Sequence, residues 1–163
     1  YRQVWRYLAG ESSLEEAVLN HGWPLLEDSR GKVFFTQYHG RTQPNTKGRL
    51  LFPQVESGNP GAAILIVEDI LADAEKVRKW VSKGYLVRTR TGKDMQEVRD
   101  NDYTQFKAAL ENGVHFISTD TPAPNAVNPD FVIQIPRGTP ARCNPVTSPQ
   151  GCVAEDIEDP SKL

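Results

Sequence analysis

The sequence predicts an α/β fold built on parallel strands. Two observations carry this. A helix–glycine–strand junction occurs twice, as Lys83-Gly84-Tyr85-Leu86-Val87 and as Asn112-Gly113-Val114-His115-Phe116. Short runs of β formers also alternate with stretches that place apolar residues at helical spacing. Strands joined through crossover helices lie parallel in a sheet.

Each element has its own signal. Ser12 and Ser13, followed three residues on by Glu15 and Glu16, form overlapping capping boxes. Leu14, Ala17 and Val18 then share a helix face that Gly22 ends. Residues 31–37, Gly31-Lys32-Val33-Phe34-Phe35-Thr36-Gln37, read as a strand buried on both sides. After a polar loop over 38–48, residues 49–53 form a second strand stopped by Pro53. Residues 62–67 form a third β-rich run, whose periodicity also fits a short buried helix. Leu71, Ala74, Val77, Trp80 and Val81 line one helix face, with Lys79 and Lys83 placed for the helix dipole and Gly84 at the C-cap. Residues 85–91 are the next strand. Asp102 with Gln105 opens a helix carrying Tyr103, Phe106, Ala109 and Leu110, and residues 114–120 form the strand that follows. Beyond Pro122 the alternation stops, leaving one more β run at 131–135 before a proline-rich tail.

Composition narrows the function classes. The chain has 163 residues, room for one domain with a real core. Nineteen Lys and Arg against 21 Asp and Glu give a net charge of −2, which argues against nucleic acid as a partner. No apolar run reaches the roughly 18 residues a membrane span requires. The first residues, Tyr1-Arg2-Gln3-Val4-Trp5-Arg6, carry neither an initiator methionine nor a leader pattern, as expected of a processed or truncated chain.

The two cysteines, Cys143 and Cys152, enclose two prolines and a glycine. A turn there would bring the thiols together, so a disulfide and an oxidising, extracellular compartment are expected. Two thiolates at this spacing, without neighbouring His or Cys, do not suit a metal.

In parallel α/β folds, functional groups gather where strands end at their carboxyl side. Those ends offer Gln37, Tyr38 and His39 after the first strand, Gln54 after the second, Arg88 and Arg90 on the 85–91 strand, and Ser118, Thr119 and Asp120 on the last. Arg88 and Arg90 are two apart and point to one side of their strand. Two guanidiniums on one face need anions: phosphate, which each can bind bidentately, or a carboxylate such as Asp120. Asp120 has further readings, as the orienter of a catalytic group, a Ca²⁺ ligand or a turn aspartate before proline. Among three histidines, His21 reads as a cap-region residue, His115 as core or helix-facing, and His39 as a weak candidate general base. No histidine has metal-site spacing, and no phosphate loop, nucleophile elbow or HExxH is present.

Four segments in order add a family likeness. They are Gly22-Trp23-Pro24-Leu25-Leu26-Glu27 with Arg30-Gly31-Lys32-Val33-Phe34-Phe35, residues 84–91, residues 113–120, and Pro136-Arg137-Gly138-Thr139-Pro140-Ala141-Arg142-Cys143-Asn144-Pro145. Together they resemble the Ca²⁺-dependent phosphoinositide phospholipase C family of secreted microbial and fungal proteins. Residues 113–122 also resemble the last barrel strand of glycerophosphodiester phosphodiesterases. The resemblance implies part of a TIM-type (β/α) barrel, with residues 1–136 as its C-terminal half; by their own composition residues 137–152 read as a proline-rich, disulfide-bearing tail and 153–163 as an acidic, disordered end.

It further implies phosphoric diester hydrolysis of a phospholipid or glycerophosphodiester by a complete, secreted protein. A pair of histidines would act as base and acid, and Ca²⁺ would offset phosphate charge. By position, Arg88, Arg90, Ser118 and Asp120 carry over as substrate-side or structural groups. The catalytic histidines and Ca²⁺ ligands belong to early strands that resemble nothing here, so this chain alone is expected to be inactive and to pair with an N-terminal barrel half or with itself. Relatives often have tyrosine where Thr121 stands, so ring stacking there is lost. A different class of reading is a non-catalytic extracellular binding module that keeps only the barrel packing.

Overall fold

The computed structural model describes residues 10–38 and 51–158. Helix α1 (Leu14–His21) is capped by Ser13, whose hydroxyl accepts the Glu16 N–H, and it ends at Gly22 with φ 74°. A short helix α2 (Leu26–Ser29) follows. Strands β1 (Phe35–Thr36) and β2 (Leu51–Phe52) pair in parallel, Phe35 against Leu51. Strands β3 (Ile64–Val67), β4 (Leu86–Thr91) and β5 (Phe116–Thr119) form a second parallel sheet in the order β3-β4-β5. Helix α3 (Ile70–Lys83) joins β3 to β4, while α4 (Met95–Asp100) and α5 (Thr104–Glu111) join β4 to β5. No helix among the described residues is long and apolar enough to cross a membrane.

The crossover helices form where expected. Asp69 caps α3 by accepting from Leu71 and Ala72, and Gly84 closes it in the left-handed region at φ 104°. Helix α3 buries Ile70, Val77, Trp80 and Val81 and leaves Leu71 half exposed, so its inner face begins one residue earlier than the periodicity suggests. These side chains meet Leu65, Val67, Val87, Ala109 and Val114 in the main core, between the sheet and helices α3 and α5. Helix α1 lies at the amino ends of β3 and β4. Leu14 and Val18 pack on Phe52, Ala63 and Ile64, and the Trp23 Nε1–H donates to the Gly84 carbonyl at 2.9 Å.

Three sequence readings need correction. The run 31–37 is not a strand buried on both sides: only Phe35–Thr36 enter a ladder, and both are exposed. Residue composition fixed the β preference there but says nothing about what covers the strand. Residues 131–135 form no strand. Ile133 donates one backbone bond to the Thr121 carbonyl, and Phe131 and Ile133 serve as a lid on Val98 and Phe106. At the acidic end, residues Ala154–Ile157 make a helical turn, α6, where disorder was expected. Arg30 holds it by donating to the Glu158 carboxylate at 3.2 Å and to the Ile157 carbonyl.

The tail is docked rather than loose. Cys143 and Cys152 form a disulfide with a Cα–Cα distance of 6.1 Å. Inside that loop, the Asn144 amide donates to the Gly113 carbonyl at 2.8 Å and Val146 packs on the main core.

Candidate functional site

The candidate site grows from the alternation of β4. Val87, Thr89 and Thr91 point into the core beneath the helices, which sends Leu86, Arg88 and Arg90 to the opposite face of the sheet. That face has a floor and a rim. At the floor Leu86 packs with Ile64 and Phe52, and the Phe34 ring meets the rings of Phe52 and Phe116 at 5.8 and 5.9 Å. Arg88 stands one step higher, and Arg90 stands at the carboxyl end.

Arg88 is held on two sides. Its Nε donates to the Ser118 hydroxyl at 3.1 Å, and its guanidinium carbon lies 4.8 Å from the centre of the Tyr38 ring. Its Nη1 is buried and has no hydrogen-bond partner among the described residues. A guanidinium nitrogen removed from water and unpaired is costly, so it marks a place where an acceptor belongs. Arg90 forms an ion pair with Asp120 across β4 and the end of β5. The four residues singled out from sequence, Arg88, Arg90, Ser118 and Asp120, therefore lie together on one face, in two contacting pairs.

The histidines do not join them. His21 ends α1 and contacts Glu11 at 2.6 Å. His115 turns its Nδ1 to the Val87 backbone, and burial pulls its pKa below the ordinary histidine value. His39 lies outside the described residues.

Two further residues complete the cluster. The Tyr38 hydroxyl donates to Glu68 Oε1 at 2.8 Å, and the Lys93 ammonium donates to the Glu68 backbone carbonyl at 3.0 Å. Sequence reasoning noted Tyr38 only as a strand-end residue and passed over Glu68 and Lys93. Glu68 immediately follows β3, so the strand-end rule, applied to the 62–67 run, would have found it.

The arrangement favours an anion over a cation. Ca²⁺ takes six to eight oxygen ligands, several of them carboxylates. Among the described residues no three His, Cys, Asp or Glu side chains converge on one point. Asp120 is paired with Arg90 and Glu68 accepts from Tyr38, so the described residues do not fit a Ca²⁺ site.

No curated protein and no solved structure gave a significant match to this chain. A family model described as phosphoinositide phospholipase C, Ca²⁺-dependent, matches residues 6–145.

Proposed function

Because the chain belongs to the Ca²⁺-dependent phosphoinositide phospholipase C family, we propose that it supplies the phosphate-contacting wall of a phosphoric diester hydrolase acting on a phospholipid or glycerophosphodiester. The observation that carries this reading is the buried, unpartnered Nη1 of Arg88, one step below Arg90 on the same face of the parallel sheet. A phosphate oxygen at that nitrogen would accept a charge-assisted hydrogen bond, and Arg90 beside it would add a second cation. Aimed at the transferring phosphoryl group, both would offset negative charge that grows in the transition state. Ser118, by accepting from Arg88 Nε, tethers the guanidinium at one point of the site.

The strand arrangement supports an arc of a TIM-type barrel. Two parallel sheets, a helical outer layer and an inner face rising from apolar floor to polar rim are what such an arc requires. The general acid and base, and the Ca²⁺ that the family name specifies, would come from residues other than those described. The disulfide supports a secreted setting.

The test is turnover of phosphatidylinositol vesicles and of a soluble glycerophosphodiester by the full-length protein carrying Arg88→Leu. Removing one preorganised donor to a developing charge costs about 100-fold or more in turnover. Wild-type rates in this variant would overturn the reading. Phosphate binding without turnover in the unaltered full-length protein would instead establish the binding-module alternative.

A further inference from the structure

We propose that Tyr38 and Glu68 are positioning residues that set the guanidinium of Arg88 for its anion. The inference rests on the phosphate reading above and adds two residues, from two other strand ends, to the same site. Arg88 has many rotamers, and its Nε–H bond to Ser118 leaves the plane free to swing about that bond. The Tyr38 ring, 4.8 Å beneath the guanidinium carbon, stops the swing by offering the negative face of its π system. The ring is itself fixed at its far end, where the hydroxyl donates to Glu68 Oε1 at 2.8 Å. A carboxylate that accepts from a phenol pushes electron density into the ring, which strengthens its hold on the cation. Lys93 anchors the backbone of Glu68 from the segment after β4. The chain Lys93–Glu68–Tyr38–Arg88–Ser118 thus ties together the ends of four strands around one unpaired nitrogen, Nη1.

The experiment uses the full-length protein, with Tyr38→Leu, Tyr38→Phe, Glu68→Gln and, as control, Arg88→Leu. Loss of a partly desolvated cation–π contact predicts a fall of about 5- to 30-fold in kcat/KM for Tyr38→Leu. Tyr38→Phe keeps the ring and should restore most of that loss, with Glu68→Gln close to Tyr38→Phe. The second readout is NMR of the Arg88 Nε–H. In the wild type and in Tyr38→Phe it should be shifted upfield by the ring, and in Tyr38→Leu the shift should vanish. If Tyr38→Leu does not fold, an unshifted Arg88 Nε–H in the wild type is enough to overturn the proposal. Wild-type kinetics in Tyr38→Leu would overturn it too. Wild-type kinetics in Arg88→Leu with the upfield shift intact would sink the phosphate reading instead, while leaving the Tyr38–Arg88 contact standing.

Discussion

His115 accepts the backbone N–H of Val87 on its ring Nδ1 at 3.1 Å, while its own N–H donates to the Val87 carbonyl at 2.9 Å. The first bond requires an unprotonated Nδ1, so the proton of the neutral ring sits on Nε2. Burial pushes the pKa of the folded residue below the ordinary value of 6.5. In the window beneath that value the unfolded chain binds a proton that the folded chain refuses. Stability is therefore full above the ordinary value and declines as pH falls toward the folded one. Urea midpoints measured from about pH 8 to pH 5 should fall in the wild type. In His115→Gln, whose amide oxygen can accept the same N–H, the fall should be shallower. Equal slopes for the two proteins would remove His115 from the account.

The Arg90–Asp120 pair should matter little to stability. Its side chains are 41% and 51% exposed, and an ion pair so open to water contributes about 0–1 kcal/mol. Arg90→Leu should therefore shift the denaturation midpoint only slightly. The same substitution in the full-length protein should lower turnover by much more than the stability change accounts for. A variant with a large loss of stability and unaltered specific activity would show that Arg90 is purely structural.

Arg88 and Arg90 were legible in the sequence because alternation along a strand is a strong rule. Arg88 and Arg90 had to share a face, and Gly84 had to close the preceding helix. What sequence could not supply was the identity of neighbours from distant strands. Tyr38 and Glu68 are 30 residues apart and meet only because β1 and β3 end at the same rim. Helix α4 was missed although Asp94 and Glu97 form a capping box, because its six residues are too few to show a period. Residues 131–135 misled for the opposite reason. Their run of β formers is real, but Phe131 and Ile133 cover Val98 and Phe106 rather than join a ladder. Gly113 illustrates a further limit. Its helix-ending role was readable, whereas the close approach of the tail was not: a Cβ there would stand 2.5 Å from Asn144 Oδ1 and 2.8 Å from Val146 Cγ2.

Reducing the Cys143–Cys152 disulfide should loosen the tail before the sheet. Closing so short a loop contributes about 2.5–3 kcal/mol in the chain-entropy picture, and the effect is local. The tail keeps other anchors, namely the Asn144 bond to Gly113, the Arg142 guanidinium on the Leu110 carbonyl at 3.4 Å and the packing of Val146. Hydrogen exchange after reduction should thus rise over residues 136–152 while β3 and β4 remain protected. Simultaneous loss of protection in both regions would show that the tail and sheet unfold as one unit.

The 163-residue chain by itself should self-associate and show no turnover. Strand β5 pairs with β4 on one side, and among the described residues no strand pairs with its other side. Beside that edge runs a cleft lined by Phe116, Ile133, Ile135 and Pro140. On the inner face Phe34 and Phe116 are 45% and 42% exposed. An unpaired parallel edge next to exposed rings is a template for another chain. Chemistry should fail for a separate reason: His21 is engaged with Glu11 and the His115 Nδ1 with the Val87 backbone N–H, so neither imidazole contacts the Arg88 guanidinium or is presented to a phosphodiester held there. Sedimentation of the purified chain should show species larger than a monomer, and Phe116→Lys should shift the distribution back toward monomer. An assay of the same material with Ca²⁺ and phosphatidylinositol should give no product. A monomer that turns substrate over would refute both expectations and would direct attention to His39 as the base.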